Sequence, residues 1–145
     1  MSNQTYASAA VVPATVPDAL TTIVPAIGRV MISAIFILAG LSKIAAPAMT
    51  IGYIQSVGLP LPQVAFGISV LVEVVGGITL LLGYRTRIVA SVLFVFALVT
   101  AAFFHHNFAD QNQFIHFFKN VAMAGGLLHV VAFGGGRISL DGRRA

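Results

Sequence analysis

The sequence predicts an all-α fold, an integral membrane four-helix bundle. Three observations carry this. Of 145 residues, 58% are hydrophobic and 8% are charged, whereas a soluble domain carries about 25% charge. Four apolar runs cover residues 23–46, 63–83, 88–104 and 114–134, each near the ~20 residues that take a helix across a bilayer. The stretches between them collect Pro, Gly, His, Asn and Arg. One domain is the expectation at this length.

Residues 1–22 are polar or small, contain Pro13 and Pro17 and lack Lys and Arg. They predict a flexible tail, without the basic start of a signal peptide. The first span begins near Ile23, with Pro25 placed in its first turn, where a missing N–H costs nothing. Pro47 marks its end. A loop follows, rich in Gly and Pro: Gly52, Gly58, Pro60 and Pro62. The second span carries a single charge, Glu73, near its middle. A central acid costs roughly 2.5–3.5 kcal/mol on insertion, and the surrounding Leu, Ile, Val and Phe return roughly 4–7 kcal/mol, so the span still inserts. Tyr84-Arg85-Thr86-Arg87 forms a tight basic connection to the third span, which is almost wholly apolar and rich in Phe. His105 to Gln113 is a polar loop, and residues 135–145 form a C-terminal tail with Arg137, Asp141, Arg143 and Arg144.

Orientation follows from the basic residues outside the spans. Both termini and the 84–87 loop share one side, which holds Arg85, Arg87, Arg137, Arg143 and Arg144. That side is expected to be cytoplasmic, with the 105–113 loop outward. The same topology accounts for the formal net charge of +4, and a nucleic-acid partner is not expected. The chain has no Cys, which removes disulfides, thiol catalysis and thiolate metal sites.

An ionisable group within a span needs a partner or a polar cavity. Residues three, four and seven apart share a helix face. Arg29, Ser33, Phe36, Gly40 and Lys43 fall within roughly 80° on the first span. On the second, Phe66, Ser69, Glu73, Gly76 and Gly77 fall within roughly 100°, as do His116, Lys119, Asn120 and Met123 on the fourth. The third span offers Ser91 and Thr100 on opposite faces and reads as packing support. Turning the three stripes inward predicts a buried network with Arg29–Glu73 as its core. Lys43, Lys119 and Asn120 would rim an outward cavity. The plainer readings stand beside this one: Arg29, Lys43 and Lys119 snorkel to headgroups, Glu73 makes a purely structural ion pair, and His116 is interfacial. His105 and His106 sit in a polar loop and His129 lies ~80° from Lys119, so neither metal nor haem is expected.

These residues carry a resemblance. Gly28-Arg29, Gly40-Leu41-Ser42-Lys43, Gly58-Leu59-Pro60 and Glu73 followed by Gly76-Gly77 resemble the pattern of the DoxX family of small four-span bacterial membrane proteins. So do Leu81 to Arg87, Phe118-Lys119-Asn120 with Gly125-Gly126, and Gly136 to Asp141. The resemblance implies a four-helix membrane bundle and an association with quinone-linked redox chemistry. With no intrinsic electron carrier in the chain, any redox role would use a bound quinone or a partner's cofactor.

Three classes of function are open at this point. In the first, the protein is a redox-associated membrane subunit binding a quinone or quinol. Glu73 is then the acid–base group of the catalytic pair and Arg29 tunes its charge, and Lys43, Lys119, Asn120, Ser69 and His116 are the polar contacts. Phe36 and Phe66 would flank the ring. In the second, the protein is a non-catalytic membrane anchor or scaffold for a soluble redox partner. In the third, the bundle passes protons or solutes, which four spans can do only as a homo-oligomer.

Overall fold

The computed structural model describes residues 17–143. Most of the predicted 1–22 tail lies outside the described residues, as does Arg144. Five helices follow in order: α1 (Asp18–Ala45), α2 (Pro47–Ser56), α3 (Pro62–Leu82), α4 (Thr86–Phe104) and α5 (Gln111–Phe133). Four of them, all but α2, are long and apolar enough to cross a membrane. α1 packs along α3 and α4 along α5, α3 meets α4, and a smaller α1–α5 contact closes the bundle.

The interior is narrow. Phe36, Leu80, Ala90, Leu93, Ala97, Ala124 and Leu127 form its apolar core. Large apolar side chains such as Met31, Leu38, Leu71, Val95 and Leu128 point outward. On a soluble protein such a surface would drive association; here it is the wall against the acyl chains. Close approach of α1 and α3 depends on Gly77, where a Cβ would stand 2.7 Å from Ile37 Cγ1 and 3.3 Å from the Ser33 carbonyl oxygen.

Three expectations need correction. The first helix starts at Asp18, not near Ile23, so Pro25 lies inside it rather than in its first turn. Asp18 in the first turn favours that earlier start through the helix dipole. The Gly- and Pro-rich loop after α1 contains the ten-residue helix α2. Pro47 opens this helix at a position that needs no N–H, and it is held by Ile54, which is buried, and by Tyr53, whose hydroxyl donates to the Phe104 carbonyl at 3.1 Å.

The third correction concerns the C-terminal tail, which docks against the bundle. Gly83 ends α3 in the left-handed region at φ 69°, and the N–H groups of Gly83 and Tyr84 return to the Leu80 and Thr79 carbonyls, the Schellman closure that glycine permits. The turned chain then receives the C-terminal segment. Leu140 N–H donates to the Leu82 carbonyl at 3.1 Å and Asp141 N–H to the Gly83 carbonyl at 2.9 Å. The Asp141 carboxylate accepts from the backbone N–H of Arg85 (2.9 Å), the backbone N–H of Thr86 (2.7 Å) and the Thr86 hydroxyl (2.7 Å). It thereby caps the start of α4.

Candidate functional site

Glycine packing sets which residues of α1 and α3 lie level. A Cβ on Gly40 would sit 3.1 Å from Glu73 Cβ, so Glu73 stands beside Gly40. Lys43 is then less than one turn away, whereas Arg29 is eleven residues away, ~16 Å along the axis. The structure accordingly pairs Glu73 with Lys43. The expected Arg29–Glu73 core is not formed.

Lys43 Nζ donates to Glu73 Oε1 at 2.8 Å and lies 2.8 Å from Oε2 as well. Oε2 has this ion-pair contact as its one partner among the described residues. The Glu73 side chain is 6% exposed and that of Lys43 28%. A buried ion pair of this kind costs desolvation that its Coulomb attraction only partly returns. Its presence within a largely apolar bundle therefore reads as a polar feature rather than a stabilising device.

Arg29 works at the other end of the bundle. Its guanidinium is buried and donates to three carbonyls: Leu81 at 3.3 Å, Ile138 at 2.6 Å, and Gly135. It clamps the C-terminal segment to α3, with the Asp141 charge close enough to act on it. A planar fork with several donors suits this task.

The Glu73–Lys43 pair lines a cavity of about 140 Å³. Its polar wall adds His105, Lys119, Asn120 and Thr100, and its apolar wall includes Phe36, Phe96 and Met123. α1 supplies Phe36 and Lys43, α3 supplies Glu73, and α5 supplies Lys119, Asn120 and Met123. α4 contributes Phe96 and Thr100, which share a face four residues apart, and His105 stands at its C-terminal end. The Asn120 amide donates to the His116 carbonyl at 2.9 Å, which leaves one amide hydrogen and the carbonyl oxygen for other partners.

Of the other sequence-derived candidates, Ser69 donates to the Phe66 carbonyl of its own helix at 2.8 Å. Neither Ser69 nor Phe66 lines the cavity. His116 also stays off the lining, but it stacks on His105 with ring centroids 5.2 Å apart, and its Nδ1 is 2.8 Å from Lys119 Nζ.

His105, Phe96 and Thr100 are the residues that sequence reasoning left out, because α4 reads as apolar packing and His105 as loop. The available signal was that His105 directly follows the last residue of the span, so it cannot lie far from the helix end. Burial pushes its imidazole below the usual histidine range, and the nearby His116 and Lys119 push it further. It is therefore neutral at pH 7. Its Nδ1 is buried with no hydrogen-bond partner. Among the described residues, no group of three or more His, Cys, Asp or Glu side chains is placed to hold a metal ion.

The family model DoxX matches residues 24–106. The chain is 37% identical over 123 residues to inner membrane protein YphA of Escherichia coli K12, covering 81% of this chain and 87% of that one. It is 36% identical over 118 residues to inner membrane protein YqjF of the same organism, covering 79% and 87%. No solved structure matches the chain. The match to more than half of the sequence, with relatives that align over most of their own length, makes this chain a DoxX-family integral membrane protein.

Proposed function

We propose that the protein is a redox-associated inner-membrane subunit whose cavity takes the ring headgroup of a quinone or quinol. One observation carries this reading: His105 Nδ1, buried without a hydrogen-bond partner, belongs to a residue lining the same small cavity as the Glu73–Lys43 ion pair. Buried polar groups are nearly always satisfied, so such an atom beside a buried acid calls for a ligand or water.

The lining fits a ring with two oxygens. Lys119 and the second amide hydrogen of Asn120 can donate to a carbonyl oxygen. Glu73 can accept from, or exchange a proton with, a ring hydroxyl. Phe36 and Phe96 give apolar walls for the ring faces. Drug-sized ligands occupy ~300–1,000 Å³; about 140 Å³ suits a single ring with its tail left in the bilayer. A bound quinone would supply the two-electron chemistry that the chain itself lacks. The protein's part is to orient the ring and to hold a proton at Glu73, with Lys43 stabilising the carboxylate. Arg29, engaged with backbone carbonyls, has no part in it.

Orientation belongs to the same proposal. The arginines of the 84–87 loop and the C-terminal segment favour the cytoplasmic side for that end of the bundle. The names of the two relatives support the inner membrane as the location. The cavity then lies toward the outer leaflet.

Titration of the purified protein with a short-chain ubiquinone or menaquinone analogue tests the reading. Saturable binding is expected, weakened at least tenfold in Glu73→Gln and in Lys119→Gln. No binding, or binding indifferent to Glu73→Gln, overturns it.

A further inference from the structure

The bundle has a second pocket, at the opposite end from Glu73. It is open, about 660 Å³, and three of its lining residues are Arg85, Arg87 and Arg137. We propose that this pocket binds the phosphate headgroup of an anionic phospholipid.

Four observations lead there. First, among the described residues, the guanidinium groups of Arg85, Arg87 and Arg137 make no hydrogen bond or ion pair, in contrast to the fully engaged Arg29. Second, the one carboxylate in the pocket, Asp141, is turned to the backbone N–H groups of Arg85 and Thr86 and to the Thr86 hydroxyl. It answers the helix terminus and leaves the pocket with an excess of positive charge. Third, Arg85 is held in the left-handed region at φ 44°, a conformation glycine would adopt without strain. An arginine kept there places a cation at the rim.

The fourth observation separates a lipid from a soluble anion. Phe133, 80% exposed, and Ile88, 59% exposed, line the same pocket beside the arginines. A cationic floor with an apolar edge matches a phosphate joined to acyl chains. Guanidinium groups take phosphate oxygens two at a time, and basic pockets at the ends of transmembrane helices hold anionic headgroups. The lipid would bridge the start of α4, the end of α5 and the clamped C-terminal segment, tying the latch to the membrane surface.

Native mass spectrometry of the detergent-purified full chain tests this, with phosphatidylglycerol and phosphatidylcholine of identical acyl chains as probes. Selective retention of phosphatidylglycerol is expected. Arg87→Gln and Arg137→Gln each lower that retention about fivefold, the factor equivalent to ~1 kcal/mol per basic residue at a lipid surface. Arg143→Gln removes the same charge from the same segment outside the pocket and leaves retention unchanged, as does excess inorganic phosphate. The Arg87 and Arg137 side chains make no protein hydrogen bond, so packing survives their loss; circular dichroism verifies the helices, and should one variant misfold, the other decides. Equal retention of the two lipids, an equal loss in Arg143→Gln, or displacement by inorganic phosphate overturns the proposal.

Discussion

At the scale of the residue, the Lys43–Glu73 pair is asymmetric. Glu73 is almost wholly enclosed, while Lys43 retains contact with the surroundings. Removing Lys43 leaves a buried carboxylate without its ion-pair partner; removing Glu73 leaves a lysine that can swing outward on its long stem. Lys43→Met is therefore expected to destabilise more than Glu73→Gln, by about 1–3 kcal/mol once the partial exposure of Lys43 is allowed for. The double variant recovers part of that loss. Thermal denaturation in detergent reads the cycle, and equal single-variant losses that simply add in the double variant contradict it.

His105 gives a pH dependence. Its imidazole ionises below the ordinary histidine range in the folded protein because of burial, His116 and Lys119. The unfolded chain thus binds a proton that the folded one refuses, and stability rises with pH in that window. The contribution is complete above the unfolded value, ~6.5, and is lost as pH falls through the interval below it. A falling melting temperature from pH 7.5 to 5.5, with a shallower fall in His105→Gln, is the expected result; an unchanged slope in the variant assigns the effect elsewhere.

At the scale of the element, the C-terminal segment is a structural part of the bundle rather than a tail. Two Arg29 hydrogen bonds, to Gly135 and Ile138, two backbone bonds to the end of α3 and the Asp141 cap on α4 fix it. Lysine cannot reproduce the fork that reaches three carbonyls at once. Arg29→Lys is expected to free the segment, so trypsin cuts after Arg137 and Arg143 at lower protease concentration, while quinone-analogue binding at the far cavity stays as in the parent protein. Protection equal to the parent would mean that the clamp does not depend on the guanidinium. The α2 helix makes a related point. Its mixed apolar and polar residues give no clear helical stripe; it packs chiefly on α3, and Tyr53 reaches the end of α4, contacts that the sequence of the 47–56 stretch does not display.

At the scale of the whole molecule, the bundle is polar at both ends in different ways. One end holds the Glu73–Lys43 ion pair in a small cavity, and the other a latch beneath exposed arginines. Because the chain lacks cysteine, single cysteines report topology cleanly. Asn107→Cys is expected to react with a membrane-impermeant maleimide in intact cells, and Arg143→Cys only after lysis. The reverse pattern inverts the orientation and places the cavity toward the cytoplasm.

The sequence by itself determined the four apolar spans, the all-α class and the inward faces of α1, α3 and α5. Composition and helical period are local properties, and a short carboxylate in mid-span has to turn inward. Tertiary structure alone decided which cation meets Glu73. Both Arg29 and Lys43 lie on the same face of α1, and only the level at which α3 packs, fixed by glycine contacts at Gly40 and Gly77, selects between them. The same is true of His105 and of the docked C-terminal segment: their partners are distant in sequence, and no periodicity along one helix encodes a contact made by another.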